Sequence, residues 1–336
     1  MVRLKDIAQA AGVSVMTVSR VMRDSPDIAP ATKARVRALA TQMGYVPDIM
    51  AQGLRTRTSK LLGLVVPHLS DPIFARVTAT LGEQVGELGY DLIVAHSLNL
   101  PEREESCVYR LLARRVDGLF IVPVYRPTAQ VPVYEELRRR NTRVVLLGPR
   151  APFCAGFAAV ETNEAEAASS GTRHLLELGH RRIAFLAGPA VSPVARARLE
   201  GYRRALRDVG IEPDDALVFS AGASVEDGAK ATLQMIAEGV GATAVQTVND
   251  LVAFGVVQTL LHQGVRIPES MSVVGFGNVF TSEHFRVPLT TLRQPKRRLG
   301  AAALELMGGL LRGAPPQVRR LSAVLAVRAS TGPPPP

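Results

Sequence analysis

The chain has 336 residues, with 40 Lys or Arg against 30 Asp or Glu, a net charge of +10 and 47% hydrophobic residues. That length permits two or three domains of ~100–200 residues, each able to bury a core. No apolar run reaches the ~20 residues of a membrane span, and the two cysteines, Cys107 and Cys154, lack metal-ligand spacing and read as reduced, buried thiols.

The first element is a short helix in which Leu4, Ile7, Ala8 and Ala11 fall on one face. Gly12 stands where that helix must stop and the chain reverse. Ser14 is a suitable N-cap for a second helix, its hydroxyl accepting the free N–H of Thr17 or its neighbour. Val18, Val21 and Met22 point inward, which leaves Val15, Met16, Ser19 and Arg20 elsewhere on the second helix, mostly near its start. In a helix-turn-helix those early positions meet base edges in the major groove. Arg20 suits a guanine, and Val15 or Met16 a thymine methyl. Ser14 and Thr17 suit phosphates, as does Lys5. A helical hairpin inside a larger fold is the plainer alternative, and charge argues against it. Residues 1–60 carry ten Lys or Arg against four Asp or Glu, a net of +6, leaving +4 for the other 276 residues. Phosphate binding calls for such a concentration. A third helix follows over 30–43, with a proline at its start and Gly44 to end it.

From residue 61 onward short apolar strands alternate with amphipathic helices. Strands are expected at 61–67, 90–96, 116–124, 142–148, 157–161, 181–187, 216–220, 242–248 and 272–276. Helices are expected between most of them, for example at 72–88, 165–178 and 194–209. Such alternation implies parallel sheets covered on both faces. No G-x-G-x-x-G, P-loop or G-x-S-x-G turn is present, so no cofactor, no metal and no catalysis are expected. His180, in a helix-to-strand connection, is expected to be structural. The Gly-Pro-Pro-Pro-Pro end is expected to be a disordered tail at 331–336.

Several stretches, in order along the chain, resemble the lactose/galactose repressor (LacI/GalR) family. They are D-I-A-Q-A-A-G-V-S and T-V-S-R-V within 6–21, G-Y-V-P at 44–47, A-Q-G-L-R-T at 51–56 and L-G-L-V-V-P at 62–67. The series continues with L-G-H-R-R-I-A-F-L-A-G at 178–188, R-L-E-G-Y at 198–202, N-D-L-V-A-F-G at 249–255, S-V-V-G-F at 272–276 and P-L-T-T-L-R-Q-P at 288–295. The resemblance implies a three-helix DNA-binding domain at 1–47, a hinge helix and linker at 48–60, and an effector-binding and dimerisation domain at 61–330. That last part is implied to be a periplasmic-binding-protein-like α/β core of two doubly wound parallel-sheet subdomains. One is expected from about 61–160 and 290–318, the other from about 161–289 and 319–330. In the hinge, Met50, Leu54 and Arg55 are implied to meet DNA, Leu54 as a minor-groove wedge and Arg55 at a phosphate. Gly53 costs so short a helix about 1 kcal/mol, so the hinge is expected to fold on the operator.

The same resemblance implies an effector cleft contacted by Asp71, Phe74, Arg198, Asn249, Gln294 and Lys296, with Asp250 capping the following helix. Two departures matter: Gly148 and Gly277 stand where the family commonly has Asp. With Arg198 and Lys296 remaining, the expected effector is an anion, a sugar acid or sugar phosphate, in preference to a neutral sugar. The segment V-M-T-V-S-R is similar to that of gluconate-type repressors. The implied protein is a cytoplasmic homodimeric repressor of carbohydrate or sugar-acid genes on a pseudo-palindromic operator of double-stranded DNA, without membrane contact. The competing readings are a solute-binding receptor of the same α/β fold and a regulator without a small-molecule effector.

Overall fold

The computed structural model describes residues 2–46 and 58–336. They fall into two compact units divided after Ser59.

Among the described residues the first unit has three helices, α1 (Leu4–Ala11), α2 (Val15–Met22) and α3 (Pro30–Gln42). The chain reverses at Gly12, whose φ is +62°. Ser14 caps α2, its Oγ accepting the Thr17 N–H at 3.0 Å. Ile7, Ala8, Ala11, Val18, Val21, Val36 and Ala40 form the core, with Leu4 and Met22 packed partly buried against it. A seven-residue core is small, so α3 is also tied by charge: Asp24 in the preceding loop binds Lys33 at 3.1 Å and Arg37 at 2.7 Å. Those two partners hold the Asp24 carboxyl below the usual range.

The second unit is built on two six-stranded sheets. The first holds β1 (Leu61–Val66), β2 (Asp91–His96), β3 (Gly118–Ile121), β4 (Val144–Leu147), β5 (Ala158–Thr162) and β11 (Val318–Leu321), all paired in parallel. The second holds β6 (Ile183–Ala187), β7 (Val218–Ser220), β8 (Ala244–Thr247), β9 (Ser272–Gly277), β10 (Thr290–Arg293) and β12 (Val324–Ala326). Among the described strand pairs only β10–β12 is antiparallel. Strands such as L-L-G-L-V-V and V-V-L-L read as continuous apolar runs because helices cover both faces. On the first sheet these include α4 (Pro72–Glu87), α5 (Pro101–Ala113), α6 (Pro132–Arg139) and α12 (Lys296–Leu311). On the second they include α7 (Glu164–Glu177), α8 (Pro193–Arg207), α9 (Val225–Glu238) and α10 (Asp250–His262), with the short α11 (Thr281–His284) following β9.

Three expectations need correction. The strand at 290–293 belongs to the second sheet, pairing with β9, whereas it was expected in the first subdomain. Residues 319–321, expected in the second, lie in β11 and pair with β5. The chain therefore passes between sheets after β5, between β10 and α12, and between β11 and β12. Local pattern does not encode which sheet edge a strand completes. The end of the chain is also not a free tail. Ser330 is fully buried, its Oγ accepting the Thr290 N–H at 2.8 Å and donating to the Val273 carbonyl at 2.6 Å. Gly332 N–H donates to Ser272 Oγ at 3.0 Å, and its carbonyl accepts from His180 Nε2 at 2.9 Å.

Candidate nucleic-acid interface and effector cleft

The α2 face opposite the small core is open. Val15 is 46% and Met16 61% exposed, well above what a helix of a closed hairpin would leave bare. Arg20 and Lys5 are exposed and have no side-chain partner among the described residues. Ser14 Oγ lies 2.9 Å from Thr17 Oγ1, so the cap and its neighbour share one polar corner at the N-terminus of α2. Unpaired N–H groups and the helix dipole make such a corner favourable to an anion. Ser19 is partly committed, since Arg23 donates to its carbonyl at 3.0 Å and to its Oγ at 3.4 Å. Met50, Leu54 and Arg55 lie outside the described residues.

In the second unit a cavity of about 400 Å³ opens between the carboxyl ends of the two sets of strands. That is where open α/β sheets place ligands, and the volume suits a small molecule. Five of the six expected contact residues line it: Asp71, Phe74, Arg198, Asn249 and Gln294. Asp71 caps α4, its Oδ1 accepting the Ile73 N–H at 2.8 Å. Burial pushes its carboxyl up, with that amide working the other way. Asn249 caps α10 through Val252 N–H at 2.8 Å and donates to the Ala223 carbonyl at 3.0 Å, so both ends of its amide are engaged.

Lys296, the sixth, is not in the cavity wall. Its ammonium, at the start of α12, donates to the carbonyl oxygens of Gly277 and Asn278 at the end of β9. Burial first, then Arg293 and Arg76, brings its pKa down to about 8 against the pull of Asp250 and Asp71. Asp250 is likewise corrected. Asn249 is the cap, and the buried Asp250 carboxylate accepts from Val279 N–H at 2.8 Å, from Ser282 Oγ at 2.7 Å and from Thr291 Oγ1.

Sequence reasoning missed Glu164, and with it the charge balance of the cleft. Glu164 Oε2 accepts from Arg198 Nε at 2.7 Å, and both side chains are more than nine-tenths buried. Arg198 also donates to the Val248 carbonyl and lies over the Phe276 ring, 3.6 Å from its centroid. A buried guanidinium needs such compensation. The available signal was the second carboxylate of E-T-N-E, at the start of the helix that follows β5. With Arg198 neutralised and Lys296 elsewhere, the charge argument for an anionic effector loses its basis. Gln294 Nε2 donates to Glu164 Oε1 at 3.2 Å, which fixes its amide the right way round, while its buried Oε1 has no partner among the described residues. His180, fully buried, is bound through Nδ1 to Thr243 Oγ1 at 2.8 Å and through Nε2 to Gly332 and Ser272, a structural set of contacts.

A helix-turn-helix unit with most of the positive charge, followed in the chain by a two-sheet unit with a cavity between its sheets, is the make-up of a class of DNA-binding regulators. Comparison with known proteins narrows this. Residues 3–48 match the family of bacterial regulatory proteins of the lacI family, and residues 172–331 match a periplasmic binding protein-like domain. The HTH-type transcriptional repressor PurR of Photobacterium profundum is 30% identical over 310 residues, covering 91% of each chain. The HTH-type transcriptional regulator DegA of Bacillus subtilis is 27% identical over 330 residues, covering 98% of this chain and 97% of its own. Among solved structures, the Lac repressor dimer bound to operator and the anti-inducer ONPF superposes with a TM-score of 0.88 at 29% identity, over 98% of this chain and 99% of that one. The regulator CelR in complex with cellobiose gives 0.75 at 28% identity, over 98% and 100%.

The chain belongs to the LacI family and is a DNA-binding transcriptional regulator, not an enzyme. The lacI-type head separates it from solute receptors that share the body fold.

Proposed function

We propose that this regulator binds a pseudo-palindromic operator as a homodimer and represses transcription under the control of an uncharged heterocycle of the nucleobase class, held in the cleft between the two sheets. In this reading α2 enters the major groove, with Arg20 on a guanine, Val15 or Met16 on a thymine methyl, and Ser19 near base edges. Ser14, Thr17, Lys5 and Arg55 meet phosphates, and Met50 and Leu54 act from the hinge. Asp71, Phe74, Arg198, Asn249 and Gln294 meet the effector.

The observation that carries the effector class is the Glu164–Arg198–Gln294 trio. It offers a cation neutralised within the wall, so the Arg198 end of the cavity presents no free charge to a ligand. The remaining wall is largely apolar, with Phe74, Val122, Tyr125, Leu147, Val160 and Leu299. That favours a flat ring over a polyhydroxylated sugar or a sugar acid. The PurR relatives point the same way, toward purines.

Titration calorimetry with adenine, guanine, D-ribose, D-glucose and D-gluconate tests this, followed by operator binding with each ligand that binds. A purine base is expected to bind and to change operator affinity. Binding of gluconate alone, or of sugars alone, would reject it.

A further inference from the structure

Position 148 follows β4 in the wall of the cavity, and a side chain there would be strained and would have to displace Tyr125. Its φ is +143°, and a Cβ there would lie 2.9 Å from the hydroxyl oxygen of Tyr125. That hydroxyl donates to the Pro149 carbonyl at 2.8 Å. The group that fills this space, the Tyr125 hydroxyl, thus comes from the segment after β3, not from β4 itself.

Tyr125 is held from both sides by one buried carboxylate. Glu104, on α5, is fully buried, and its Oε1 accepts the Val124 N–H and the Tyr134 hydroxyl, each at 2.8 Å. Its Oε2 pairs with the guanidinium of Arg126, which also reaches Glu105 Oε1 at 3.0 Å and the Val124 carbonyl at 3.3 Å. The residues on either side of Tyr125 are therefore bound to a group that has no room to move.

We propose that Tyr125 is the specificity-determining residue of the first-sheet wall, occupying the volume any side chain at 148 would need, and that Glu104 is the positioning residue that sets it there. The consequence is a cavity wall in which Tyr125 stands where a side chain at 148 would otherwise reach. It selects ring compounds that offer a flat face over compounds that offer a row of hydroxyls. This rests on the reading that a small molecule binds in the cleft.

The occupancy of Tyr125 is tested without ligand. Gly148→Ala is made in the wild-type chain and in Tyr125→Phe, so that backbone strain at 148 cancels between the two backgrounds. The melting temperature should fall by about 2 °C or more less in the Tyr125→Phe background. Equal losses overturn the claim. Calorimetry with adenine and D-ribose tests specificity: Tyr125→Ala should cut the adenine-to-ribose affinity ratio about tenfold, one tenfold step being about 1.4 kcal/mol. An unchanged ratio overturns it.

Glu104→Gln should move the ratio the same way and speed amide exchange at Val124. Should that variant fail to fold, Tyr134→Phe, which removes one donor from Glu104, is expected to act in the same direction. A lower melting temperature with unchanged ratio and exchange would reduce Glu104 to a structural role and overturn its part. If neither probe binds the wild-type chain, the nucleobase reading fails, and the melting cycle and Val124 exchange rule on Tyr125 and Glu104.

Discussion

Arg198 and Glu164, 34 residues apart in sequence, meet at 2.7 Å in the wall of the cavity, where Phe276 covers the guanidinium. Both side chains are more than nine-tenths buried, so each is the other's principal counter-ion. Removing one leaves an uncompensated buried charge. Glu164→Ala is expected to cost about 3–5 kcal/mol in urea unfolding, and the Glu164→Ala/Arg198→Ala pair less than the sum of the single losses. Additive losses would mean that the pair is not coupled.

On the DNA side, Arg20 and Lys5 should separate by kind of effect. Arg20→Ala is expected to relax base preference at one operator position by roughly 1–3 kcal/mol. Lys5→Ala is expected to weaken binding on all sequences and to lower the slope of log affinity against log salt by about 1. Fluorescence anisotropy with single-base operator variants over a salt series distinguishes the two.

Lys296 predicts a rise of stability with pH. Its folded pKa, about 8, lies below the ordinary lysine value of 10.5, so between those values the unfolded chain binds more protons than the folded one. Stability must then increase through that window. Lys296→Met should flatten the rise between about pH 8 and pH 10 in urea midpoints; an unaltered slope would show that another group titrates there.

The chain end predicts a sharp boundary in truncation. Removing the last four prolines should change little, because the hydrogen bonds run from Ser330 to Gly332. Removing Ser330 onward orphans Thr290 N–H, Ser272 and His180, at about 1–3 kcal/mol for each buried group. Burial lowers the His180 pKa, so its stabilising contribution should fade as pH drops below about 6.5. His180→Gln should blunt that loss. Thermal melts from pH 5 to 7.5 measure it.

The parts of this protein legible from sequence are those fixed within one or two helical turns. The inward face of α1 and α2, the Ser14 cap, the reversal at Gly12 and the succession of strands all follow from local periodicity and backbone preference. Asp71, Phe74, Arg198, Asn249 and Gln294 were recognised through motifs and line one cavity. Lys296 was misplaced because a motif gives a position and not the direction of a long, flexible side chain.

Sequence alone determined the helix-turn-helix, its concentrated positive charge and the alternating α/β body, because each is a property of neighbouring residues. Tertiary structure alone decided that Glu164 cancels Arg198, that Tyr125 fills the space beside Gly148, that 290–293 completes the second sheet and that the chain end is locked under His180. Each of these depends on groups between 23 and 152 residues apart, or on a choice between two sheet edges with similar apolar strands. Burial and hydrogen-bond satisfaction, which act only once the chain has closed on itself, make those choices.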